Sequence, residues 1–453
     1  DGTSKIIKKV DVCVEFVPLR SVLKLFLESN CILSRTLKYV EYLEKSGDLI
    51  VTNFIQGEFW KSKSELRGNR LVLPLFLYYD DYEPNDPLGS HAGIAKCGTV
   101  YALLPTLPVT LQSKKENIFL FFLFNPLDRK NFGNRIIFQQ AIDELHYLSD
   151  VGIVVNDGNR EATIFFQLSL VLGDNLGMHG ILGFVESFSS NFPCRFCDVH
   201  KSNLNYIFHE SQCTLRNRET YNEGVSKNDV SSTGIKEECT FHDLHYFHVT
   251  GNLSVDEMHD LFEGCIKYDV PLILYFYIHD KKFFSLEYLN ERINGFNYDV
   301  NDKRSKPLQM SENNFSMKKI SMTSSEELCF IRILPLLIGD CIPREDEHWN
   351  VIILLREIVE IVRSKKVHKL IHSALEVLVS DYLKLLRRLF PHINLKPKHH
   401  YLVHYPRVLR LMGPLNLLSS IRPESKHQDG KATADATTSR INIQRTIAIQ
   451  NQF

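Results

Sequence analysis

The chain has 453 residues, 44% hydrophobic and 24% charged, with a formal net charge of −1. That is a globular balance, with length for one large domain or two to three ordinary ones. It excludes a global electrostatic footprint for nucleic acid, so any DNA-binding surface must be local. The ten cysteines are irregularly spaced, which argues against a secreted disulfide scaffold and for reduced thiols in the cytosol or nucleus. No signal peptide opens the sequence, and its longest apolar run, near 270–278, is too short to span a bilayer. The chain begins at Asp1 rather than Met and is read as a fragment.

Residues 14–46 carry apolar positions at helical spacing, as in "VPLRSVLKLFLES". The run "RLVLPLFLYYDD" (70–81) then predicts a buried central strand ending in two aspartates. Strands follow at 96–107 and 116–125, a helix at 134–152 stopped by Gly152, and two strands around an Asn-Asp-Gly turn in 153–175. Residues 199–250 are polar and loop-like. From 254 to about 390 the spacing is helical, with a long helix pair over 347–390. The chain divides into an N-terminal helical region (1–69), a first core segment (70–198), a loop and helical insertion (199–395) and a C-terminal core segment (396–453).

Asp80 and Asp174 stand at the C-terminal ends of two apolar strands. If those strands are parallel neighbours, two carboxylates meet there. In a partly buried site they cannot both ionise cheaply without a cation, and Mg²⁺ suits such oxygen ligands. A lone aspartate after a strand is more often a turn former or helix cap.

Twenty residues after Asp174, Cys194 and Cys197 form a Cys-x-x-Cys pair in "NFPCRFCDVH". A redox motif wants a thioredoxin-like βαβ frame, whereas a polar loop follows here, so a zinc site fits better. Nearby partners would be His200, His209, Cys213, Cys239, His242, His245 and His248. More distant ones are His399, His400 and His404 in "LKPKHHYLVHYPRVLR". A self-contained knuckle with the nearer residues is possible, but His399 and His404, five apart beside a proline-bounded helix start, are the better partners for Cys194 and Cys197. Glu424 follows His404 by twenty residues, after Pro423 at a helix start. Residues 384–422 hold eight Lys or Arg and no acid, a local basic run beside Glu424.

The stretches "LYYDDYEPNDPLGSHAG", "LGDNLGMHGILGFVESFSSNFPCRFC", "VDEMHDLFEG", "KPKHHYLVHYPR" and "RPESKHQDGKATADATTSR" resemble transposase-like proteins related to the CACTA (En/Spm) group. The plan is similar to the catalytic core of the V(D)J recombinase. The resemblance spans about residues 15–450 and implies an α/β fold: a ribonuclease-H-like mixed sheet with a large, mainly helical insertion between the second and third acids. It implies a DDE triad of Asp80, Asp174 and Glu424 holding two Mg²⁺ for DNA cleavage and strand transfer, with Asp80 favoured over Asp81. It further implies a structural Zn²⁺ on Cys194, Cys197, His399 and His404, double-stranded DNA as partner, a homo-oligomer on DNA and a nuclear location. The alternative is a transposon-derived protein that binds DNA or protein without catalysis. The motif "DEMHD" (256–260) has no role assigned by this reading; a helix cap with a core-edge histidine is the plain explanation.

Overall fold

The long apolar run before Asp80 forms the third of eight strands in this computed structural model, which describes residues 14–47, 49–84, 96–437 and 442–451. Among the described residues the strands are β1 (Glu15–Phe16), β2 (Ile50–Val51), β3 (Leu71–Tyr82), β4 (Cys97–Leu103), β5 (Phe119–Phe124), β6 (Ile153–Asn156), β7 (Glu161–Gly173) and β8 (Val367–His368). Six form a mixed sheet in the order β1-β5-β4-β3-β7-β6. β3 runs antiparallel to β4 and parallel to β7, and the other pairings in this sheet are antiparallel. The expected β-β-β-α-β-β order over 70–175 is therefore formed, with β1 added at the edge beside β5. β2 and β8 make a separate two-stranded ribbon.

Both faces of β3 are covered, which is why it reads as a continuous apolar run. Side chains alternate between faces along a strand. Leu73, Leu75, Leu77 and Tyr79 share a core with helices α1 (Leu19–Glu28), α2 (Ile32–Lys45) and α3 (Asn134–Asp150), through residues such as Leu23, Leu33 and Phe138. Phe76 and Tyr78 lie in the other core, with Met258, Leu261 and Tyr405. α4 (Asn175–Leu182) leaves the end of β7.

After residue 199 the chain makes short turns and two short α-helices, Arg218–Lys227 and Val230–Thr233; the longer buries only Tyr221 and Gly224 and so carries almost no apolar signal. Met258–Ile266 is wound as a π-helix, continuing into α5 (Lys267–Tyr275). α6 (Ser324–Ile338), α7 (Glu347–Arg363) and α8 (Ile371–Leu389) complete the helical part, and α7 and α8 are the expected long pair. α9 (Pro397–Leu402), α10 (Tyr405–Met412) and α11 (Ile421–Ala436) return to the sheet. No helix among the described residues is long and apolar enough to cross a membrane.

Candidate functional site

Tyr79 of β3 lies opposite Gly173 of β7 in the parallel ladder, so Asp80 and Asp174 follow at neighbouring strand ends. Asp174 caps α4, its Oδ1 accepting the Gly177 N–H at 2.5 Å. Asp80 Oδ2 lies 3.1 Å from His427 Nε2 on α11. Asp81, one residue on and therefore on the opposite face, accepts the Tyr79 hydroxyl at 2.6 Å. Asp80 is thus the member of the pair that faces α11.

Glu424 sits in the first turn of α11, one turn before His427. Its Oε1 is 3.5 Å from His259 Nε2. Burial pushes the Glu424 carboxyl up to about 8; Asp80 and Asp256 add to this and His259 opposes it. Burial also raises Asp174, against the Gly177 N–H and His259 and with Asp80 and Asp256. Burial works against a charged His259, but Asp256, Glu424 and Asp174 together hold it up at about 10. Asp80, Asp174 and Glu424 therefore belong to one interacting cluster. Among the described residues their oxygens do not converge within 4.8 Å of one another, as the ligand atoms of the next cluster do.

Cys194, Cys197, His400 and His404 are all buried, with one donor atom each inside that limit. Cys194 Sγ is 3.5 Å from His404 Nε2, Cys197 Sγ is 3.2 Å from His400 Nε2, and the two Nε2 atoms are 3.3 Å apart. Burial opposes ionisation of Cys194, but the Cys197 thiol and the two imidazoles outweigh it and hold the Cys194 thiol well below its ordinary range. Two thiols and two imidazoles in this space offer the donors for a metal ion such as zinc. His404 Nδ1 is 2.6 Å from Glu210 Oε1, which also accepts from Arg407 Nε at 2.8 Å. A carboxylate behind a ligating histidine fixes its tautomer and aims the other nitrogen inward. Nothing in the sequence marks Glu210 for that role.

His399 is a correction. It does not join the cluster; His400 takes the place expected of it. The backbone stays in the right-handed helical region through Val403 and His404, at the junction of α9 and α10, so the residue four before His404 falls alongside it and the residue five before does not; His400 rather than His399 pairs with His404. His399 Nδ1 instead accepts the Lys396 N–H at 3.0 Å, and its Nε2 lies 2.8 Å from Asp269 Oδ2. That places the His399 proton on Nε2, toward Asp269. Cys265, Asp269 and His399 also approach within 4.8 Å, but this cluster is satisfied by hydrogen bonds, with the Tyr382 hydroxyl donating to Asp269.

The nearer alternatives point elsewhere. His200 binds Ser202, and His209 meets Ser380 and Lys384. Cys213 lies beside Cys197 but outside the four. His242 and His248 stack on each other at 4.1 Å, and burial pushes them down to about 3 and about 4.

The basic run at 384–422 is largely engaged internally. Arg388 pairs with Glu347, Arg407 with Glu210 and Arg410 with Glu58, while Lys398 donates to the Glu263 carbonyl. Arg422 donates to the Lys114 carbonyl and, with Arg363, Lys365 and Lys366, lines a cavity of about 510 Å³ that reaches Pro423, next to Glu424. No family model matches the chain, and no curated protein matches it.

Proposed function

We propose that this protein is a transposase-like enzyme that cleaves DNA and transfers the strand, with Asp80, Asp174 and Glu424 as its acids. The observation that carries the reading is the gathering of three acids from distant parts of the chain around His259: two at the ends of parallel neighbours β3 and β7, and Glu424 on α11, its Oε1 3.5 Å from His259 Nε2 and within electrostatic reach of Asp80. The strand sequence β5-β4-β3-β7, two antiparallel steps and then a parallel one, supports a ribonuclease-H-like core. On that reading the residues between Asp174 and Glu424 are its insertion.

The donor set fits the group the reading calls for. The acids offer hard oxygen ligands in a partly buried site, and the upward shifts of Asp174 and Glu424, caused first by burial and then by neighbouring carboxylates, mark charged forms that a cation would stabilise. Bound there, two Mg²⁺ would supply activation of water or a 3′-hydroxyl and stabilisation of the leaving oxygen. The protein's part is placement. Strand ends fix Asp80 and Asp174, and the N-terminal turn of α11 presents Glu424. Arg422, Lys365 and Lys366 give the adjoining cavity positive charge for a phosphate backbone. A zinc ion on Cys194, Cys197, His400 and His404 would be structural, since four protein ligands leave no open position. Double-stranded DNA, a homo-oligomer formed on it and a nuclear location belong to the same reading.

One pair of observations favours a second reading, a binding protein that keeps the fold without the chemistry: the acids converge loosely, and most of the basic run already has partners. Mg²⁺- or Mn²⁺-dependent nicking and strand transfer on labelled DNA separates the two. The enzyme reading expects product from the parent and at least about a hundredfold less from Asp174→Ala or Glu424→Ala. Equal cutting by parent and variants rejects the triad, and DNA binding without product from the parent selects the second reading.

A further inference from the structure

The segment "DEMHD" lies between the acids. Asp256 is buried, and its Oδ1 accepts two backbone N–H groups at 3.2 Å: Met258, at the start of its own helix, and Ser420, the residue that precedes α11. Its Oδ2 accepts from His259 Nδ1. With Nδ1 engaged, the ring is fixed so that Nε2 faces Glu424 Oε1. One carboxylate therefore anchors the start of the helix that carries Glu424 and also orients the side chain that meets Glu424.

Asp260 extends the connection the other way. It is fully buried, accepting Asn175 Nδ2–H at 2.7 Å and the Tyr405 hydroxyl at 3.0 Å. Asn175 directly follows Asp174, and Tyr405 directly follows His404. Arg195, between the two cysteines, donates to Asn175 Oδ1 at 2.6 Å and to the Ser254 carbonyl at 2.7 Å. Ser254 Oγ in turn donates to the Val171 carbonyl of β7 at 2.7 Å. The π-helical winding of 258–266 begins within this motif, a geometry often found at functional positions.

We infer that Asp256 and His259 are positioning residues for Glu424, and that Asp260, through Asn175, registers the same helix against Asp174. The inference rests on the reading of the acids as a metal-dependent site. It differs from a cap with a core-edge histidine, because a cap contributes stability and leaves the acids' behaviour alone.

The test uses the full chain and Mn²⁺ alone, titrated by electron paramagnetic resonance, with DNA cleavage at saturating Mn²⁺, melting and zinc content in parallel. Parent and Glu424→Gln judge the site itself: parent binds Mn²⁺ and cuts, and the variant binds more weakly and does not cut. Asp256→Asn and His259→Ala judge the inference. Each is expected to weaken Mn²⁺ binding about tenfold and slow cleavage ten- to a hundredfold, the scale that a small misplacement produces, with zinc retained. His259→Gln, which keeps a donor toward Glu424, recovers part of the rate. Weaker Mn²⁺ binding with a parent-like melting point reports lost placement of Glu424 rather than lost stability. Unchanged or tighter binding in His259→Ala overturns the inference, as does a lower melting point with parent-like Mn²⁺ affinity in Asp256→Asn. If His259→Ala fails to fold, Asp256→Asn alone decides. If the parent neither binds Mn²⁺ nor cuts, the site reading fails and the positioning role falls with it.

Discussion

The two histidines His399 and His400 are adjacent in sequence and opposite in role. His400 meets Cys197, while His399 turns away to Asp269. The difference comes from local backbone geometry: the right-handed helical conformation kept through Val403 and His404 sets the residue four before His404, not the one five before, alongside it. Zinc content measured by elemental analysis should therefore fall from one per chain to near zero in His400→Ala and His404→Ala and stay at one in His399→Ala. Glu210→Gln should keep the ion but bind it at least about tenfold more weakly, since it removes the carboxylate behind His404. Zinc lost in His399→Ala and kept in His400→Ala would reverse the assignment.

At the level of elements, α11 decides whether the acids meet. It carries Glu424 and His427 on one side, and His427 stacks on Tyr82 at the end of β3, with ring centroids 4.3 Å apart. Farther along, Gly430 lets the helix approach: a Cβ there would lie 2.1 Å from the Tyr82 hydroxyl oxygen, the tip of a rigid ring. Gly430→Ala should therefore cost about 1–3 kcal/mol by overpacking, and it should reduce any metal-dependent cleavage by tilting Glu424 away. Gly295→Ala, where nothing lies within 4 Å, serves as control. Equal melting points for the two variants would remove α11 packing as the determinant.

The whole molecule is held by contacts that close very long loops. The Cys/His cluster joins residues 203 and 210 apart in sequence. Closing so long a loop removes entropy from the unfolded chain, in the manner of a crosslink. Chelation should lower the melting midpoint and open the 199–250 region to limited proteolysis, with both effects reversed by added zinc. A chelated protein that melts and digests like the untreated one would show that the clamp adds nothing to stability.

Strands and helices were largely legible in the sequence, for a local reason: apolar period, turn residues and caps act within a few positions. The run ending at Asp80 became β3 and the 347–390 pattern became α7 and α8. The short β1 and the β2–β8 ribbon escaped notice, because two-residue strands are made by their distant partners. At the site, Cys194, Cys197 and His404 could be read from spacing alone. His400 over His399, the Asp80 side of the Asp80–Asp81 pair, Glu210 behind His404 and the partners of Asp256 and Asp260 could not. Each depends on which way a side chain points after packing and on residues some 85 to 350 positions away meeting it. Sequence by itself determined which residues were available and which elements carried them; tertiary structure decided which of them touch, because contact between distant residues is a property of packed faces rather than of local propensity.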